Sequence, residues 1–404
     1  MGDDANYNSY ANSRHTITVG AIDETGKHAF YSTPGAPVLV SAYSIGDEET
    51  TQGISTTDVT GTDGVSAGNY THQFGGTSAA APQVSGVLAL MLEANPTLSW
   101  RDAQHILVET ASKNDPSDTG WEQNGVGRWV NYKYGFGAVD AEAAVARAET
   151  WKPVSKEVAI EFPEIHMEEN SNQGIGILVP DGDPNGIPTT VETTTVEVQD
   201  NINLEWVEVS FDANHPDIDN LHIELVHTDP TGRETASVLM EPHQSPNSLL
   251  VKDHNFQWDF TTPRHWGETS QGTWKLRVSD RTDTNQGRWN SWKIRFYGTE
   301  TGEGFTFPIP PDRTYVEDQP LHFFRDAQGK PIQIQGNPED TVTVSLEIAD
   351  NPEDPDLRAK SFYLGSPNSQ VSFEYNSEQN QWNLNGEIAQ VNQLLADLTF
   401  QPKK

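Results

Sequence analysis

The chain has no cysteine among its 404 residues, which excludes disulfides, thiol catalysis and thiolate metal sites. That absence does not place it in the cytosol, because bound calcium can staple a secreted chain in place of disulfides. Basic residues are scarce: 25 Lys and Arg stand against 59 Asp and Glu, a net charge of −34. Such a surface repels nucleic acid and anionic lipid, so neither is an expected partner. Long apolar runs are also missing, and no stretch approaches the roughly 20 apolar residues of a membrane span. The first residues, MGDDANYNSYANSR, have no charged region followed by an apolar one. Either the protein is not exported by that route, or the chain is a piece of a longer one. The motifs below favour the second.

At roughly 100–200 residues per domain, the length suggests two to four domains. Residues 1–150 read as α/β, with a parallel sheet and buried helices. His15–Ala21 and Pro37–Ala42 are apolar, β-branched strand candidates. Thr77–Asn95 predicts one long helix, apolar on nearly all sides at its centre. Pro96 ends it, and Ser99–Ala111 follows as an amphipathic helix with Ser99 as N-cap. Asp140–Ala148 predicts a third helix. Residues 151–185 read as an acidic linker. Residues 186–300 alternate with the period of a β-sandwich, as in Trp206–Phe211, Leu221–His227 and Trp292–Tyr297. Residues 301–312 are a second linker, and 313–404 a further all-β module.

Chemistry concentrates in Gly75-Gly76-Thr77-Ser78-Ala79-Ala80-Ala81-Pro82. A serine hydroxyl attacks only when a base takes its proton. A helix N-terminus offers unpaired N–H groups and a dipole that favour the negative charge of acyl transfer. Gly75 and Gly76 leave the backbone approachable, and Pro82 fits the first turn. The same eight residues also describe an ordinary capped helix.

The longer run GGTSAAAPQVSGVLALMLEANPTLSWRDAQHIL resembles the nucleophile helix of subtilisin-like proteases, and more closely their kexin/furin branch. NYNSYANSRHTITVGAID and NGVGRWVNYKYGFGAVDA resemble two further segments of that branch, in the right order. The resemblance implies that Ser78 is the nucleophile of a serine endopeptidase, with Gly76 and Thr77 beside the substrate. It also implies that residues 1–150 are the C-terminal part of a catalytic domain. The family's triad Asp, triad His and oxyanion asparagine in a Gly-Asn-Gly run would all precede residue 1, so this polypeptide alone is expected to be inactive. Asp118-Thr119-Gly120 copies the shape of the family's Asp motif but follows the serine. His72 lies six residues before Ser78, where relatives carry a histidine that is not the base.

In the same family an aspartate on the substrate side matches Asn8 here, which weakens an expectation of cleavage after Arg or Lys. Asp3 matches a calcium ligand, with Asp4 the alternative register, but the glutamate completing that site is Thr33. Calcium at Asp3 and Asp4 is the one cofactor expected. Residues 186–300 resemble the convertase P domain through Asp219–Leu225, Trp266-Gly267-Glu268, Gly272–Leu276 and Val278-Ser279-Asp280. Residues 313–404 resemble cadherin-like repeats through Val316-Glu317-Asp318, Val342–Ala349 and Trp382–Gly386, with Asp350, Glu353, Asp354 and Asp356 as conceivable calcium ligands between repeats. The expectation is thus an exported protease acting on protein or peptide substrates. The competing one is a non-catalytic surface adhesion protein with a degenerate protease half.

Overall fold

A computed structural model describes residues 3–46, 52–167, 176–180, 189–192, 195–242, 255–281 and 286–300. Beyond these it describes 341–347, 362–364, 372–376, 381–387, 390, 391, 395 and 398–400. Residues 1–300 form one compact unit and 301–404 another.

The larger unit begins as α/β. Thr18–Ile22 and Val38–Tyr43 pair in parallel, and their apolar runs suit strands buried on both faces. Helix α1, Thr77–Ala94, packs on both strands and on a later helix, Ala141–Glu149. Its buried residues Ala80, Val84, Val87 and Met91 recur every three or four positions and so line one face, with Ala79 beside them. The opposite face is open, with Leu90 49% and Leu92 46% exposed. The expectation of a helix buried all round is corrected to one buried face. The cause is simple: the parallel sheet among the described residues has two strands, enough to cover one side of α1.

Helix α2, Trp100–Thr110, starts on a full capping box: Ser99 Oγ accepts from Asp102 N, and Asp102 accepts from Ser99 N. Helix α3, Ala141–Glu149, is capped by Asp140, whose carboxylate accepts from Ala143 N at 2.9 Å.

A β-sandwich completes this unit. One sheet holds Leu221–Thr228, Glu234–Met240 and Gly272–Asp280, with 189–192 and 196–198 beside the last. The other centres on Ile202–Asn214 and Gly287–Glu300, with Phe256–Thr262 at one side. Alternate residues face inward: Val207, Val209 and Phe211; Leu221, Ile223 and Leu225; Trp274, Leu276 and Val278. The segment 151–185 is not simply a linker. Glu157–Glu161, Ile165–His166 and Ile177–Val179 all pair with Gly287–Glu300 and extend its sheet. Their mixed composition is that of edge strands, one side solvated.

In the second unit Thr341–Glu347, Gln381–Glu387 and Ser372–Asn376 form an antiparallel sheet, and Phe362–Leu364 pairs with Leu398–Phe400. Val316-Glu317-Asp318, the 301–312 linker and Asp350, Glu353, Asp354 and Asp356 lie outside the described residues.

Candidate active site

Space and backbone dictate the two glycines before α1. A Cβ on Gly75 would lie 1.9 Å from Ile45 Cγ2. Gly76 has φ +81°, a left-handed conformation that costs other residues energy. Its N–H donates to the Tyr31 hydroxyl at 3.3 Å, and its carbonyl accepts from Ser44 Oγ at 2.8 Å and from Ala79 N at 2.9 Å. Tyr31 in turn donates toward Ser44 and the Ile45 carbonyl. The first turn of α1 is thereby fixed before any substrate arrives.

Thr77 and Ser78 are exposed, while Ala79 and Ala80 are buried beneath them. No acidic residue occupies the first turn, so the positive end of the helix dipole is not neutralised there. Among the described residues no hydrogen bond reaches the Ser78 hydroxyl. His72 stands on the strand Tyr70–Phe74 and its Nδ1 lies 2.8 Å from Ser55 Oγ, not from Ser78. The structure therefore presents an exposed hydroxyl at the start of α1 that His72, held by Ser55, does not meet.

The loop before the first strand carries the other expected site residues. Asn8 is exposed and turns its amide oxygen back onto Tyr10 N and Ala11 N, at 3.0 and 3.3 Å. Asp4 caps the short helix Ala5–Tyr7 through Asn6 N at 2.8 Å and accepts from the Tyr132 hydroxyl. Asp3 accepts from Asp4 N at 2.9 Å. Burial and the nearby Asp4 carboxylate push the Tyr132 hydroxyl well above its ordinary value, so it stays a donor. Asp3, Asp4 and Thr33 border a pocket of about 200 Å³ with Glu241. Calcium takes about six to eight oxygens. Asp3 and Asp4 are not part of any close group of three histidine or acidic side chains among the described residues. Those two carboxylates, already accepting hydrogen bonds, do not make a calcium cage by themselves.

Asp118, of the misleading Asp-Thr-Gly, has a structural role. It accepts from Gly120 N at 2.8 Å, Asn131 Nδ2 at 3.1 Å and Lys133 Nζ at 2.6 Å. Burial opposes its ionisation, but Lys133 and these donors outweigh that and bring its pKa down to about 2.

The sandwich grips this framework along a buried seam. Arg101 of α2 forms a fork on Glu205, one arm at 2.8 Å, and donates to the Ser155 carbonyl at 2.7 Å. His105 Nε2 meets the same carboxylate at 2.9 Å. Burial opposes the charge on Glu205, yet His105 and Arg101 hold its carboxyl below the ordinary range. Trp206 and Trp266, from the sandwich part of the chain, join the α/β core, and Trp206 Nε1 donates to Gln104 Oε1 at 3.0 Å. Asn124 Nδ2 donates to the carbonyls of Arg264 and Trp266, at 3.1 and 3.0 Å.

Sequence reasoning missed the residues that hold the Asn8 loop. Asn6 Nδ2 donates to Leu239 O at 2.9 Å, Asn6 O accepts from Trp258 Nε1 at 2.9 Å, and Asn6 Oδ1 accepts from Thr261 N at 3.1 Å. Asn12 Oδ1 accepts from the Thr261 hydroxyl at 2.7 Å. Their partners lie more than 200 residues away, so no local pattern announces them.

Residues 1–137 match the Subtilase family, and residues 204–296 match the Proprotein convertase P-domain. Kexin of Saccharomyces cerevisiae is 29% identical over 321 residues, which cover 78% of this chain and 36% of that protein. The dibasic-processing endoprotease of Schizosaccharomyces pombe is 34% identical, covering 77% and 41%. Neuroendocrine convertase 2 of Rattus norvegicus is 32% identical, covering 74% and 44%. The chain thus spans less than half the length of these relatives. A crystal structure of a serine protease of Aeromonas sobria superposes with a TM-score of 0.60 at 24% identity, over 70% of this chain and 57% of that one, a likeness of fold. Among the described residues no helix is long and apolar enough to cross a membrane. With a subtilase match that includes the Ser78 turn, a P-domain match after it and kexin-type relatives across both, the chain belongs to the kexin-type subtilases.

Proposed function

We propose that this chain is the nucleophile-bearing part of a serine endopeptidase that cleaves proteins or peptides through an acyl-enzyme. Ser78 Oγ attacks the scissile carbonyl carbon, and its proton passes to a base from outside the described residues. The peptide C–N bond breaks as that proton reaches the leaving amine, and water then hydrolyses the ester on Ser78. Gly76 and Thr77 keep the approach to the hydroxyl free of bulk, and the dipole of α1 favours the developing oxyanion. The observation that carries the reading is the exposed Ser78 hydroxyl on a first turn locked by Tyr31, Ser44 and Gly76.

Supplying the base and oxyanion donors is the work of residues that would also cover the open face of α1. The test compares the 404-residue chain with a longer protein that includes the coding sequence upstream. The chain alone is expected to leave a peptide substrate and a fluorophosphonate probe untouched. The longer protein is expected to hydrolyse the one and take the other on Ser78. A folded longer protein that stays unlabelled would sink the protease reading and leave a scaffold.

The finer expectations rest on resemblance. Export, and a cadherin-like nature for the second unit, belong to the same reading. Calcium at Asp3 and Asp4 would need at least about four further oxygens. A thermal midpoint unchanged by chelator and by added calcium removes it.

A further inference from the structure

One buried polar cluster takes no part in this chemistry. His227, His265 and Glu268 place their donor atoms within 4.8 Å of one another, the one such trio among the described residues. The side chains are 1%, 1% and 3% exposed. His227 Nδ1 and His265 Nδ1 both lie 3.0 Å from the same oxygen, Glu268 Oε2.

The far side of His227 decides what can occupy that space. Its Nε2 lies 3.1 Å from the Gln271 carbonyl, which can only accept, so Nε2 carries the hydrogen. In the neutral ring Nδ1 is then a lone pair, facing a carboxylate lone pair at 3.0 Å. Something positive has to sit between. The neighbouring guanidinium of Arg264 is turned away, toward Glu122 and the carbonyls of Ala236 and Val130.

The surroundings have the form of a supported ligand set. A carbonyl on the remote nitrogen of one imidazole fixes which nitrogen points inward. The second carboxylate oxygen is held by Gly125 N at 2.6 Å. Trp274 stacks on His227 with ring centroids 4.1 Å apart and meets His265 edge-on at 4.9 Å. Gly272 keeps φ +133°, and a Cβ there would lie 2.9 Å from His227 Nε2. Among the described residues buried His265 Nε2 has no partner, and the polar contact of this ring there is the one on Glu268.

We propose that His227 Nδ1, His265 Nδ1 and Glu268 Oε2 hold one structural zinc-class ion at the seam between the α/β part and the sandwich. Two imidazoles and one carboxylate suit zinc better than calcium, which wants oxygens alone. Three protein ligands leave one tetrahedral position for a water. The ion would tie the Asn124–Arg128 turn to the sandwich through Glu268 and Gly125. It has no role in the reaction at Ser78, so it stands or falls apart from the protease reading.

The full chain is produced with zinc in the medium, dialysed against metal-free buffer, and assayed for metal by mass spectrometry. One zinc per chain is expected, with two imidazoles and a carboxylate oxygen in its X-ray absorption spectrum. His227→Gln should lower the occupancy at least about tenfold, and His72→Gln, at an exposed histidine, should not. If His227→Gln fails to fold, the absorption spectrum of the unaltered chain still decides. Occupancy no higher than that of His227→Gln, or a zinc shell without imidazole, overturns the proposal and makes the bridging charge a proton on His227.

Discussion

The two ends of the α/β part are built to opposite rules. At the mouth of α1 stands an exposed hydroxyl without a hydrogen-bond partner among the described residues, and the helix behind it leaves Leu90 and Leu92 open. At the far side α2 meets the sandwich through Arg101, His105, Glu205 and Trp266, interlocked and, apart from the partly buried His105, nearly sealed from water. The difference teaches where stability and chemistry have been separated. Reactive groups need access and a partner that arrives with the reaction, whereas buried charges need every partner in place beforehand. The sandwich therefore serves the site from behind: it anchors α2 and, through Asn6 and Asn12, the loop that carries Asn8.

The sharpest break of this contrast is Ser78→Ala. In a longer protein with the proposed activity it should lower kcat about ten-thousandfold or more. The same change should leave the urea midpoint of the 404-residue chain unaltered, because the side chain is exposed. Glu205→Ala tests the other end. It strands Arg101 and His105 in the seam, and a loss of about 3–5 kcal/mol in urea unfolding is expected. A loss below about 1 kcal/mol would mean that the seam is not the sealed side.

How much of this was legible depended on how far apart the partners are. The N-cap Ser99 and the ends of α1 and α2 follow from residues within a turn of each other, and the sequence reading placed them within one residue, without naming the return bond from Ser99 N to Asp102. The Ser78 turn was legible as a motif. The strand Glu157–Glu161 was not, since its short, charged pattern acquires meaning only beside Arg295–Thr299. Phe256–Thr262 was passed over for a similar reason: its inward residues are set by Val207–Ala213 opposite. The open face of α1 could not be read at all, because an apolar helix looks the same whether or not its second cover is present.

Smaller effects sharpen the contrast further. Gly76→Ala keeps the helix but forces an L-residue to φ +81°, at a cost of about 1–2 kcal/mol in the urea midpoint. Acid should act on the carboxylates whose partners are already in place, one in the seam and one in the Asp118 loop. Glu205 and Asp118 ionise more easily folded than unfolded, so their stabilisation is complete above their ordinary values and fades as pH falls. For Asp118 the loss runs from 3.8 to about 2. Asp118→Asn should flatten the stability profile in that window, which circular dichroism across an acid series would show.

The smallest expected structural change is at the loop shared by both ends. Asn8→Asp keeps an oxygen for Tyr10 N and Ala11 N, so the turn should persist and stability move by less than about 0.5 kcal/mol. What changes is charge. If the loop lines the substrate side of Ser78, a carboxylate there attracts a guanidinium more strongly than an amide does. In the longer protein the ratio of kcat/KM for an arginyl over an alanyl peptide should then rise about tenfold, worth about 1.4 kcal/mol. An unchanged ratio, with activity intact, would take Asn8 out of the substrate site. The Asn6 and Asn12 contacts would then belong to the seam alone, as one more anchor of the buried side.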